Sequence, residues 1–591
     1  MKTLGAIFFG LSLLLTSAIT AQCQLHGYQS PAISDAELPE PETYQVVISE
    51  IMADPFPAVG LPDAEYIELY NRDESGVSLE GCRLVIGKAE KVLPAVVLES
   101  NAYLIICDAG KESLFPSFVK IIAVEHLPPV LNSGQTVTLR SRSGKIIFSV
   151  DFTDRWYKSK EKAEGGWSLE IIDPENFCGR EDNWCASIDP RGGTPGSGNS
   201  VNRENPDNQR PNLLRATWNA DSSVMLHFSE SMDSTSLDDP ASFSASHGLL
   251  HPAHVDPTEP GYASVSLYFN ASPKPGIIYS VTVLKIPKDC AGNLLADNAF
   301  ANFGLPQPSD SPDVVINELL FDTPSGMSEF IELYNRSSKI IDLEEFSLAL
   351  CAPVSDSTLK RTPLRGNPFL LFPGHYVAVT RRADQLPYLS GHPDLSTVVE
   401  QPLLFVLPDR QGEITLAGKA GRIIDRFGYS REMHSAFLSK TEGISLERIN
   451  ADLPANDRNN WHSASSLVGY ATPGFENSQH VSSVKETEDI VITPEIFSPD
   501  DDGTDDVTVL DVEPGNPGSM ANIRIFDMRG MMVRTLATQA LLGTRSLFTW
   551  DGTCNDQTRA DIGIYLIYIE IYTEQGHIKN YRKVVTLTRR L

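Results

Sequence analysis

The sequence predicts an all-β chain built as tandem two-sheet β-sandwiches in an elongated multidomain arrangement. Three observations carry this. One phrase occurs twice, EYIELYNR from Glu65 and EFIELYNR from Glu329, 264 residues apart. A repeat at that distance marks two copies of a whole domain, not a short solenoid unit. Short segments rich in β-branched and aromatic residues recur along the chain, and Gly (41) and Pro (40) punctuate them throughout, as in all-β folds with many short strands. A length of 591 residues leaves room for about three to five domains.

The N-terminal 1–21 segment reads as a secretory signal: Lys2, an apolar run from Leu4 to Leu15, then small and polar residues to Ala21. Cleavage is expected after Ala18 or Ala21. Cys23 follows, but Gln22 stands where a lipid-anchoring signal wants a small residue. No later apolar run reaches the roughly 18 residues of a membrane span. Residues 22–42 contain Pro and Glu without periodicity and read as a leader.

The first domain is expected over 43–200. Its strands begin at YQVVISEIM and EYIELYN, where Ile67 and Leu69 share one face and Tyr66, Glu68 and Tyr70 the other. Ala102 to Ala109, Gln135 to Ser141 and Lys145 to Phe152 follow as further strands. A second copy over 312–478 repeats the order. VISEIM matches VINELL, WSLEIID matches ISLERIN, Asn183-Trp184 matches Asn460-Trp461, and TPG at Thr194 matches TPG at Thr472. Another β-rich unit is expected over 210–304, after the linker SGNSVNRENPDNQR. A last one spans 490–591, after SQHVSSVKETED.

The paired V-I-x-E and E-aromatic-I-E-L-Y-N strands, with the closing N-W and TPG elements, resemble the lamin-tail domain. That resemblance implies an Ig-like β-sandwich acting as an interaction module, and no activity. The 210–304 unit resembles the bacterial Ig-like domain of S-layer and adhesin proteins. It carries Phe228-Ser229-Glu230, the Tyr279/Val281/Val283 strand and the Asp289/Ala291/Gly292/Asn293 turn. The last unit resembles C-terminal Ig-like domains of Bacteroidota surface proteins, related to the flagellar hook-cap and gliding-associated types. FSPDDDGTDD, IRIFD, the W-D-G turn at Trp550 and a basic final strand carry the likeness. Asp500 and Asp505 replace the usual Asn, and FDMRG departs from the gliding-associated form. This likeness implies a role in type IX export or surface attachment.

Net charge is −29, from 77 acidic and 48 basic side chains. Such a surface repels phosphate backbones, and there is no dense Lys/Arg run, so no nucleic-acid partner is expected. Among eight cysteines, Cys178 and Cys185 lie close together in a loop-like stretch and are the disulfide candidates for an exported chain. Cys82 and Cys107 form a second candidate pair. Cys290, Cys351 and Cys554 stand isolated.

Asp500, Asp502 and Asp506 are the candidate metal ligands. Asp500 and Asp502 fall at alternate acidic positions of a calcium loop, Gly503 at its sharp turn and Asp506 at a later ligand position. Ser498 and Val509 occupy positions where a full loop carries Asp and Glu. The alternative is an Asp-rich turn capping backbone amides. Beyond calcium no cofactor is expected.

No catalytic residues are assigned. Glu68 and Glu332 sit in different domains and read as structural acceptors for turn amides or Arg. His247, His251 and His254 cluster in a Pro-interrupted loop, as a metal site or as solvated imidazoles. Trp184 and Trp461 read as core plugs, with a sugar-binding platform as the alternative. The sequence thus points to a non-enzymatic secreted or cell-surface scaffold that binds an extracellular protein or polysaccharide. The second reading is an accessory component of an extracellular hydrolase or nuclease system.

Overall fold

A computed structural model describes residues 38–178, 181–219, 221–297, 299–351, 360–366, 368–387, 394–481, 489–500 and 504–589. The expected signal and most of the leader lie outside these residues, as does Asp502. The chain is all-β, in tandem sandwiches as predicted.

The first sandwich opposes a six-stranded and a four-stranded sheet. In the larger one, Val46–Met52 lies between Leu169–Ile171 and Tyr66–Asn71. Trp184–Ala186 closes one edge, and Tyr103–Asp108 with Ile121–Val124 the other. All its pairings are antiparallel except the last. The second sandwich repeats this order with Val314–Leu320 between Leu446–Arg448 and Phe330–Asn335. Every residue of both central strands is buried. The four-stranded sheet covers one face, and the arm that follows the N-W strand covers the other. This double cover explains why VVISEIM and VVINELL read as near-continuous apolar runs rather than alternating ones.

Trp184 and Trp461 are buried in the two cores, and Trp461 stacks on Phe427 at 3.6 Å between ring centroids. The third sandwich pairs a four-stranded sheet from Leu213–Trp218 with a three-stranded one centred on Tyr279–Val283. The last pairs three strands with five, among them Met520–Asp527, Gly563–Tyr572 and Ile578–Leu587.

The modules touch more than polar linkers would require. Arg155 of the first sandwich bonds Glu400 of the second lamin-tail-like copy at 2.7 Å, and Arg140 pairs with Glu259 at 2.8 Å. Ile340 and Leu370 of the second copy join the core of the preceding unit. Gln479 donates to the Leu542 carbonyl of the last module at 3.0 Å. The expected linker is itself packed: Asn199 donates to the Ser49 and Ile171 carbonyls at 2.9 and 2.8 Å.

The disulfide expectation is corrected. Cys178 bonds Cys290, 112 residues away with 5.6 Å between Cα atoms, and ties the first sandwich to the third. Cys185 is a free thiol. It sits in an edge strand one residue after core-facing Trp184, so its side chain leaves by the opposite face. Cys290 is therefore not isolated, and Cys82 and Cys107 are buried free thiols rather than a pair.

Candidate functional site

A row of buried carboxylates crosses each six-stranded sheet. A bulge at Ser49 shifts the register so that Glu50 stands opposite Glu68 on one side and Glu170 on the other. The equivalent bulge at Asn317 sets Glu318 opposite Glu332 and Glu447. All six side chains are sealed from solvent.

The TPG arm lies over each row and supplies its donors. In the first copy, Thr194 N donates to Glu50 at 2.8 Å, Gly196 N to Glu68 at 2.6 Å and Ser200 Oγ to Glu170 at 2.7 Å. In the second, Thr472 N donates to Glu318 at 2.9 Å, Gly474 N to Glu332 at 2.7 Å and Ser478 Oγ to Glu447 at 2.8 Å. A carboxylate removed from water needs such donors, and the amides of a tight turn provide them without a counter-charge. Glu68 and Glu332 thus accept hydrogen bonds from turn amides.

Thr472 Oγ1 lies 3.0 Å from both Glu318 and Glu447. A hydroxyl has one proton to give, so both contacts are satisfied when one of the carboxyls is protonated. Burial, with Glu170 close by, raises Glu50 to about 7. Burial and Glu447 raise Glu318 to about 8. Glu68 and Glu332 are pushed well above the usual range by burial and then by Glu50 and Glu318 respectively. Glu447 is also raised, chiefly by burial. With no opening to solvent, the rows work as latches that hold the arm to the sheet.

Sequence reasoning singled out Glu68 and Glu332 but missed their partners. The signal was present as V-I-x-E in the strand before each and L-E in the strand after. Only the pairing of the three strands brings them together.

The candidate calcium ligands are partly described. Ser498 Oγ donates to one Asp500 oxygen at 2.9 Å, and Ser498 N to the Asp505 carbonyl at 2.8 Å. The other Asp500 oxygen is buried without a hydrogen-bond partner among the described residues. The three clustered histidines face separate partners: His247 the Ser246 hydroxyl, His251 the Phe243 carbonyl and His254 the Tyr268 ring.

A carboxylate triplet not anticipated as a set lies elsewhere in the third sandwich. Ligand oxygens of Asp207, Glu230 and Asp289 fall within 4.8 Å of one another. Asp289 is buried and accepts Asn293 N at 2.8 Å and Asn293 Nδ2 at 3.0 Å. Oxygen donors of this kind suit a hard divalent cation.

Residues 39–167 and 307–431 each match the family model of the Lamin Tail Domain. Both matches end before the N-W strand and the TPG arm that complete the larger sheet. No curated protein matches the sequence. A DUF4876 family protein from Bacteroides thetaiotaomicron VPI-5482 is similar at 12% identity, with 41% of this chain and 86% of that one covered and a TM-score of 0.17. The N-terminal part of the bacterial S-layer protein SbsC is similar at 12% identity, with 38% and 44% covered and a TM-score of 0.16. The Escherichia coli adhesin FdeC is similar at 11% identity, with 64% and 96% covered and a TM-score of 0.13. TM-scores this low carry no argument about function. Among the described residues no helix is long and apolar enough to cross a membrane.

Proposed function

We propose that this chain is a non-enzymatic secreted or cell-surface protein that binds or scaffolds other macromolecules through its β-sandwich modules. One observation supports the reading above others: the buried glutamate rows, in which the Glu50 and Glu318 carboxyl pKa values are raised, are sealed beneath the TPG arms and spent on structural hydrogen bonds. General acid–base catalysis needs such groups within reach of a substrate. The partner is an extracellular protein or polysaccharide, since a charge of −29 opposes nucleic acid. A screen of the purified full chain for phosphodiester and glycoside hydrolysis tests this. Turnover abolished by one carboxylate substitution overturns it in favour of a component of an extracellular hydrolase or nuclease system.

Residues 490–591 serve, in this reading, as the element for type IX export or surface attachment. Surface display of the complete chain and of a chain ending at 489 are to be compared in the native cell. Equal display removes the sorting role and leaves the scaffold.

We propose calcium at Asp500, Asp502 and Asp506, supported by the buried Asp500 oxygen that has no hydrogen-bond partner among the described residues. A higher thermal midpoint of the last module in Ca²⁺ than in EDTA is the expected result. Identical midpoints end the assignment.

A further inference from the structure

The last module turns one face of its five-stranded sheet to solvent, and register fixes what that face presents. Tyr568 on the central strand stands between Arg524 and Arg582 on its two neighbours. The next row on the same face is Phe526, Leu566 and Val584. These two rows floor a groove of about 620 Å³. Its rim is apolar and open: Met528 is 74% exposed, Val584 55% and Ile564 46%.

Among the described residues, neither the Arg524 nor the Arg582 side chain has a hydrogen bond or ion pair. Of the acids nearby, Asp527 pairs with Arg529 at 2.8 Å, and Glu570, one row away on the same face, accepts from Asn522 Nδ2 at 2.9 Å. In a chain with 29 excess negative charges, two guanidiniums flanking Tyr568 and not paired with a carboxylate form a local anion site. They stand two strands apart, or about 10 Å.

We infer that this groove docks an extended acidic peptide segment of a partner protein, with carboxylates engaging Arg524 and Arg582 and apolar side chains seated on Phe526, Leu566 and Val584. Charge complementarity selects the carboxylates, and the apolar row selects the kind of molecule that carries them. A glycan would need hydrogen-bonding groups along its length. Here the Tyr568 hydroxyl is already donating to Asn580 at 2.8 Å, which leaves the two guanidiniums as the groove's open donors. A peptide alternating acidic and apolar residues matches both rows at once. The inference rests on the reading of the chain as a binding protein and adds the surface and the chemistry of its partner.

The test uses the full chain and fluorescently labelled 12-residue peptides of three kinds: Asp/Glu with Leu/Phe, Asp/Glu with Ser, and Lys with Leu/Phe. Dextran sulfate and polygalacturonate serve as polyanion probes. Acidic–apolar peptides are expected to bind best. The double variant Arg524→Glu/Arg582→Glu is expected to weaken them by about tenfold or more, and Val584→Ser to weaken them less. Unchanged thermal midpoints verify that the variants fold; Arg582 and Val584 are exposed and Arg524 is half-buried on the same face. The proposal is overturned if acidic–apolar peptides bind no better than the other two kinds, or if the double variant binds within about twofold of the parent. It is also overturned if the polyanions bind more tightly than the peptides, which would make the face a glycan site. None of these results generates hydrolytic turnover, so the scaffold reading survives their failure and is judged by its own assay.

Discussion

Tyr66 reaches the Glu50 carboxylate at 2.6 Å through space that Gly193 leaves open. A Cβ on Gly193 would stand 2.7 Å from the Tyr66 hydroxyl and 2.5 Å from the Glu50 oxygen. In the second sandwich the corresponding residues are Phe330 and Ala471. With no phenol hydroxyl to accommodate, the extra methyl fits, and Ser445 Oγ supplies the donor to Glu318 at 2.5 Å. The two copies have solved one packing problem in two consistent ways.

Gly193→Ala is therefore expected to destabilise the first sandwich by about 1–3 kcal/mol through overpacking. Tyr66→Phe is expected to cost about as much by removing a buried donor. The double variant should lose less than the sum, because the ring oxygen that collides with the new methyl is gone. Urea denaturation of the four proteins measures the coupling, and strict additivity contradicts the shared-space account.

Glu50 sets a pH dependence whose sign follows from its raised folded value. Between about 4.5, its ordinary value, and about 7, the folded state holds a proton that the unfolded state has released. The stabilisation is complete below the lower value and is lost as pH rises through the upper one. Its size is on the order of 3 kcal/mol at most. Hydrogen exchange of the 192–201 arm, corrected for intrinsic rates, should show protection falling from pH 5 towards pH 8 by this mechanism. Glu50→Gln should flatten the decline. An unchanged slope in the variant places the pH sensitivity elsewhere. In the second copy the same effect from Glu318 runs to about 8, against an opposing one from His434. Burial holds that imidazole at about 4, so its contribution is lost as pH falls below its ordinary value.

The Cys178–Cys290 bond makes the first and third sandwiches one covalent unit independent of the chain between them. Cleavage at Arg203 or Arg210 should leave both fragments together on a non-reducing gel and separate them after reduction. Separation without reductant would exclude the bond. Cys290→Ser should lower stability by about 2–4 kcal/mol, the usual range for removing a cross-link.

Gly518 is a point of close contact between the last module and the second lamin-tail-like sandwich. A Cβ there would lie 1.9 Å from the His462 ring. Gly518→Ala is expected to uncouple the two modules, splitting a shared melting transition or lowering its midpoint. Gly576 also has positive φ, with nothing within 4 Å of a Cβ, so Gly576→Ala carries the backbone penalty without the collision. Equal effects of the two substitutions would assign the loss to backbone strain alone.

The amino-acid order by itself determined the modules. Alternation within a strand, turn residues between strands and a phrase repeated across the chain are local properties, readable wherever they occur. They showed that one unit occurs twice, and they anticipated the burial of Trp184 and Trp461 and the structural role of Glu68. The tertiary structure alone decided which side chains meet. Glu68 and Glu170 face Glu50 from either side because a one-residue bulge at Ser49 sets the register. Cys178 finds Cys290 rather than Cys185 because two modules pack side by side, and Arg524, Tyr568 and Arg582 form one row because three strands align. Register and docking depend on closing loops of tens to hundreds of residues, and no pattern inside a single strand encodes where its neighbour will lie.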